Sequence, residues 1–147
     1  MSQRIETKLL CNKYAVVTGC NRGIGRAICQ NFLTQGSSVI GCSRQVDKQL
    51  QKEMTNFGQN FHNIQLDVQD ETSVKEALKA IKDITKEIDI LVNNAGIAHG
   101  GIFQMTPLSD MRRVFEVNVF GAVAVTQAIA RLMIRKKSGA IINISST

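Results

Sequence analysis

Short apolar runs alternate along this chain with longer stretches in which apolar positions recur every three or four residues. The run "YAVVT" (Tyr14 to Thr18) is almost wholly apolar, as expected of a strand covered on both faces. From Gly23 to about Gln35, Ile24, Ala27, Ile28 and Phe32 fall on one helical stripe, and Gly36 supplies a stop. "SVIGCS" reads as a second strand, followed by a polar helix from about Asp47 to Asn56. "FHNIQL" reads as a third, and its polar alternation marks it as an edge. Asp70 is placed to cap a helix in which Val74, Leu78, Ile81 and Ile88 line one face. "IDILVN" is a fourth buried strand. Pro107 opens a long helix to about Lys137, with a bend expected near Gly121 and Gly139 beyond its end, and "AIINIS" is a fifth strand. Strands separated by helices call for parallel pairing through right-handed crossovers. The predicted fold is therefore α/β, a doubly wound parallel sheet.

The 147 residues are enough for one domain, and 44% apolar with 20% charged residues is ordinary for a globular protein. Residues 1–12 read as a lead-in and 13–147 as the domain. The lead-in lacks a signal core, because Asn12 and Lys13 interrupt the one apolar candidate. No uninterrupted apolar run has the length of a bilayer span. A cytoplasmic location is the expectation, with an organellar address left open. The net charge is +6, part of it in Arg131, Arg135, Lys136 and Lys137. This cluster suits the solvated carboxyl end of a helix. A nucleic-acid surface would call for interleaved aromatics, and these make up only 5% of the chain. Neither a nucleic-acid nor a membrane partner is expected. Cys11, Cys20, Cys29 and Cys42 have neither the spacing nor the histidine company of a metal site, and read as small buried side chains.

The first strand runs directly into Thr18, Gly19, Cys20, Asn21, Arg22, Gly23, Ile24 and Gly25. Between a buried strand and a helix, such a loop fits a dinucleotide. Gly19 permits the tight turn, Gly23 lets the backbone approach a pyrophosphate at the helix N-terminus, and Gly25 allows close helix–strand packing. A glycine-rich turn without a ligand is the plain alternative. No G-K-[ST] follows, so the loop is not a P-loop. At the end of the second strand stand Ser43 and Arg44, where a carboxylate would favour NAD. Arg22 reaches the same region, and two guanidinium groups suit a 2′-phosphate. NADP(H) is the expected cofactor, unless both arginines are ordinary surface charges.

Further features follow in order: "LDV" (Leu66, Asp67, Val68), "NNAG" (Asn93 to Gly96), Asn118, and "NISS" at the end of the fifth strand. With the T-G-x-x-x-G-I-G loop, they resemble the short-chain dehydrogenase/reductase family, from about Lys13 to Thr147. The likeness is greatest to the 3-oxoacyl-(acyl-carrier-protein) reductase branch and its carbonyl-reductase relatives. The resemblance implies a Rossmann-type sheet and hydride transfer between nicotinamide and a carbonyl or hydroxyl group, with a small molecule or an acyl thioester as substrate. It implies that Asp67 bonds the adenine with Val68 beside the ring. Asn94, Ala95 and Gly96 would pass the nicotinamide ribose, while Asn93 braces the sheet. Asn118 and Ser146 take catalytic roles, Asn118 by holding water and Ser146 by orienting the substrate oxygen.

The family's Tyr-x-x-x-Lys, its proton donor and helper, does not occur in these 147 residues; Tyr14 starts the first strand. The resemblance therefore leads us to expect the N-terminal part of a longer, homo-oligomeric enzyme, truncated after the fifth strand, which then becomes an exposed edge. A short product that binds dinucleotide or a partner without catalysis is the competing expectation. Substrate and reaction direction are not written in these residues.

Overall fold

The computed structural model describes residues 8–145. Five strands, β1 (Tyr14–Thr18), β2 (Ser38–Ser43), β3 (Phe61–Gln65), β4 (Ile90–Asn93) and β5 (Ala140–Asn143), form one parallel sheet in the order β3-β2-β1-β4-β5. They alternate with helices α1 (Gly23–Thr34), α2 (Lys48–Met54), α3 (Glu71–Ile84), and the pair α4 (Leu108–Phe115) and α5 (Ala122–Lys136). The chain builds outward from β1 to β3, then returns to place β4 on the other side of β1. The strand order reverses there, and a crevice opens above the carboxyl ends of β1 and β4.

Strand periodicity divides the core in two. Val16, Ile40 and Leu91 point to the face covered by α3 and α5, where Val74, Ile81, Val125 and Ile129 meet them. Val17, Val39 and Val92 point the other way, onto Cys29 and Leu33 of α1 and Leu50 and Met54 of α2. All six strand residues are at most 1% exposed. This explains why the sequence there is continuously apolar. As expected, β3 is an edge; β5 is the other, and all four of its residues are exposed.

Several expectations need correction. The buried stripe of α1 is Gly25, Cys29 and Leu33, with Ile28 and Phe32 flanking it, while Ile24 is exposed. α3 ends at Ile84, so Ile88, though fully buried, belongs to the approach to β4. The helix from Leu108 to Lys136 is broken by a π-helical turn at Glu116–Gly121, and Phe103–Met105 forms a 3₁₀ turn ahead of it. Gly121 sits where a side chain would strike Val68, its Cβ falling 2.7 Å from Val68 Cγ2. Lys137, not Gly139, takes the left-handed conformation after α5, with φ 56°. Cys11 is exposed, whereas Cys20, Cys29 and Cys42 are buried as expected. The Leu108–Lys136 helix also has the length and hydropathy of a bilayer span; here Val125, Ile129, Leu132 and Met133 bury it against the core.

At the amino ends of the strands, Asp89 joins β1, β4 and α5. Its Oδ2 accepts from the Tyr14 N–H at 2.9 Å, and its Oδ1 accepts from Lys13 Nζ at 3.2 Å and Lys136 Nζ at 2.5 Å. Lys136 is thus a partner in the core's rim rather than only a solvated helix-end charge. Burial opposes ionisation of Asp89, but the bonds from Lys136, the Tyr14 amide and Lys13 outweigh it and hold its pKa below the usual carboxylate range. A depressed carboxylate pKa stabilises the fold fully above the unfolded value, about 3.9, and that contribution is lost as pH falls through the folded value. Asp89→Asn should cost about 2 kcal/mol at pH 7. The gap from wild type should close on acidification below about pH 4 in urea unfolding followed by circular dichroism; an undiminished gap at pH 2 would refute this role for the charge.

Candidate cofactor-binding site

Above the carboxyl ends of β1 to β4 lies a cleft of about 910 Å³. Its floor is organised by Thr18, the last residue of β1. The Thr18 hydroxyl accepts from the Asn94 and Ala95 amides at 3.0 and 2.9 Å and lies 3.4 Å from the Val92 carbonyl as donor. In return, the Asn94 side-chain Nδ2 donates to the carbonyls of Thr18 and Gly19 at 3.0 and 3.2 Å. The glycine loop after β1 and the segment after β4 are therefore one bonded unit. Gly19, at φ +70°, lies so close to it that a Cβ would come within 3.0 Å of the Ala95 Cα. Gly25 is tighter still, with a Cβ position only 2.3 Å from the Gly19 carbonyl oxygen.

The start of α1 faces this cleft without a side-chain cap and with no acidic residue in its first turn. α2 and α3 differ: Asp47 caps the first through the Gln49 and Leu50 amides, and Asp70 caps the second through Thr72. The free N–H groups of α1 thus remain available to an anion. Gly23, at φ +56°, has no atom within 4 Å of a Cβ position, so the space above it is open. Ser43 Oγ and Asn21 Nδ2 both donate to the Gln45 carbonyl, fixing the turn after β2. Arg22 and Arg44 are both exposed and line the cleft. No carboxylate from the end of β2 lines it. Asp67 does so from the end of β3, its Oδ1 accepting from the Gln69 amide at 3.0 Å.

Of the residues expected to bind cofactor, Gly19, Asn21, Arg22, Gly23, Ile24, Ser43, Arg44, Asp67, Val68, Asn94, Ala95 and Gly96 line the cleft together. Cys20 and Gly25 do not. Cys20 turns its thiol into the core, where Asn63 Nδ2 is 3.8 Å away, and burial pushes its pKa up to about 11. Gly25 packs the start of α1 against the Gly19 carbonyl and the Asn94 side-chain amide. Residues that sequence reasoning passed over include Thr18, Ile97, Arg113 and Val117. Thr18 was legible as the first letter of the loop motif. Arg113 and Val117 come from the long helix, and nothing local in the sequence aims them at the cleft.

Asn118, expected to take a catalytic role, is exposed. It lies in the π-helical turn, and its amide closes a reciprocal pair with the Ile97 backbone, accepting from Ile97 N and donating to Ile97 O, both at 2.9 Å. Asn93 Nδ2 bonds Thr126 Oγ1 and Asn143 Oδ1, tying β4 to α5 and β5. Ser146 lies outside the described residues.

Thr18→Val keeps the volume but leaves two amides without their acceptor, at a cost of about 3 kcal/mol. Hydrogen exchange should accelerate at Asn94 and Ala95 while α3 stays protected, and Thr18→Ser should restore protection. Unchanged exchange in the valine variant would show that the hydroxyl does not hold this segment.

Comparison with known proteins agrees with this arrangement. The family model for short-chain dehydrogenases matches residues 13–147. The 3-oxoacyl-(acyl-carrier-protein) reductase of Aquifex aeolicus is 40% identical over 140 residues, which cover 93% of this chain and 56% of the relative. The NADPH-dependent 3-dehydrocapnine reductase of Ornithobacterium rhinotracheale is 38% identical, over 92% of this chain and 50% of its own. Among solved structures, a metagenomic short-chain oxidoreductase in complex with NADP superposes with a TM-score of 0.86 at 30% identity, over 94% of this chain and 64% of that one. The chain spans about half the length of the curated relatives it matches. With its switch-point cleft, uncapped α1 and matching residues from 13 to 147, the chain belongs to the short-chain dehydrogenase family.

Proposed function

We propose that these residues form the NADP(H)-binding part of an oxidoreductase that moves hydride between nicotinamide and a carbonyl or hydroxyl group. The observation that carries the cofactor assignment is the cation pair Arg22 and Arg44 on a cleft that has no carboxylate at the end of β2. A carboxylate there would bond ribose hydroxyls and repel a 2′-phosphate; guanidinium groups do the reverse. The uncapped start of α1 and the open space over Gly23 suit a pyrophosphate. The names of two similar proteins, one NADPH-dependent and one solved with NADP, support the same choice.

When bound, the dinucleotide supplies the hydride chemistry; the residues of this chain hold and orient it. Asn94, Ala95 and Gly96, fixed by Thr18, would form the wall beside the nicotinamide ribose. Asp67 and Val68 would take the adenine end. Asn118, through both its bonds to Ile97, would set the backbone bordering the reacting ring, and Ser146 would hold the substrate oxygen. The substrate class includes small carbonyl compounds and acyl thioesters such as 3-oxoacyl groups, in a cytoplasmic setting. No Tyr-x-x-x-Lys is present among the 147 residues, so the reading assigns them cofactor binding first.

Calorimetric titration should find NADPH bound more tightly than NADH. Arg44→Ala and Arg22→Ala should each weaken NADPH about tenfold, the worth of roughly 1.4 kcal/mol, and leave NADH nearly unchanged. Tighter binding of NADH by the wild-type chain would overturn the NADP(H) assignment.

A further inference from the structure

The cleft carries a third cation, which enters from the side opposite α1. Arg113 of α4 lines it together with Val117 in the π-helical turn. The two are four residues apart and so share a helix face. Four residues further on, Gly121 presses directly on Val68, which fixes this face against the loop after β3. The helix thus touches Val68 at Gly121, and the two turns before that point border the cleft, which Asp67 and Val68 border from the loop after β3.

Arg113 is exposed and has no hydrogen-bond or ion-pair partner among the described residues, although Asp67 lines the same cleft. On the side that this helix shares with the loop after β3, the cleft lining includes the aliphatic Val68 and Val117 and the carboxylate of Asp67. This combination suits a flat heterocycle bearing an exocyclic amine: the valines pack on the ring and the carboxylate accepts from the amine. A guanidinium at the open side of such a slot is itself flat and weakly hydrated, and lies well over an aromatic face.

We propose that Arg113 is a base-binding residue, stacking its guanidinium on the adenine of the dinucleotide. The assignment rests on the dinucleotide reading above but is separate from the choice between NADP(H) and NAD(H). Arg22 and Arg44 come from the ends of the glycine loop and β2 and read the 2′-position; Arg113 comes from α4 and reads the ring. It therefore makes no distinction between the two cofactors, and its contribution depends on a planar group rather than on charge alone.

The test is titration of NADPH and NADH into the wild-type chain, Arg113→Ala and Arg113→Lys, with a thermal melt of each to show that the exposed substitution leaves the fold intact. Arg113→Ala should weaken both dinucleotides by the same factor, about threefold to tenfold. Arg113→Lys, which keeps the charge but loses the plane, should recover little of that loss. A loss confined to NADPH and recovered by lysine would overturn stacking and make Arg113 a phosphate ligand. Wild-type affinities for both cofactors in Arg113→Ala would also overturn it, while leaving the proposed function standing. A wild-type chain that bound neither dinucleotide would overturn both.

Discussion

The bonded unit of Thr18 and Asn94 is the constraint on which the rest of the cleft depends. At the point where the strand order reverses, β1 and β4 end side by side and their following segments must diverge to opposite faces of the sheet. Without a tie the floor of the crevice would be loose backbone. One buried hydroxyl takes two amides of the departing segment, and one side-chain amide returns two bonds to the loop. Such an arrangement holds only if the backbones come close, and a Cβ at Gly19 or Gly25 would intrude on it. The loop motif "TGCNRGIG" and the later "NNAG" are thus two halves of a single packing problem, joined by bonds between residues 76 positions apart.

The same logic explains which features were legible in the sequence. β1, β2 and β4 were readable because burial on both faces removes polar residues, a signal contained within each strand. The stripe of α1 was misread because Ile24 is apolar for the cleft and not for the core, while the buried positions are the small Gly25 and Cys29. Cys20 lay inside the ligand motif, and only the path of the loop shows that its side chain turns inward. A bend near Gly121 was legible from the glycine itself, but its π-helical form was not, because its causes are distant: Asn118 bonds the backbone of Ile97, and Gly121 meets Val68. Arg113 was missed for the same reason, since the register that points it at the cleft is set by those contacts.

The long helix is held near both ends of the sheet. Near the cleft it is fixed through Asn118 and Gly121; at the other end, Lys136 reaches the buried carboxylate of Asp89. A helix with two such anchors cannot slide to optimise either one. Widening one turn shifts the phase of the residues before it relative to those after it. Arg113 before the turn and Val117 within it can then face the cleft, while Val125, Ile129, Leu132 and Met133 after it keep their places in the core. The irregular turn is therefore the adjustment that lets one helix serve a site and a core at once.

Electrostatics finish the site partly by what is left out. Three helices begin at the carboxyl edge of the sheet in the first half of the chain, and two of them start with an aspartate that satisfies their free amides. The third, α1, begins at the switch point, and its capping position is Arg22. An aspartate there would bring the usual capping gain of about 1 kcal/mol. It would also occupy the amides and place a negative charge where the proposed cofactor's phosphate would lie. With arginine in its place, the helix gives up a local source of stability and keeps both the amides and the field for a ligand. Because the alternative side chain would have stabilised the free protein, the uncapped α1 is better explained by anion binding than by any demand of the fold.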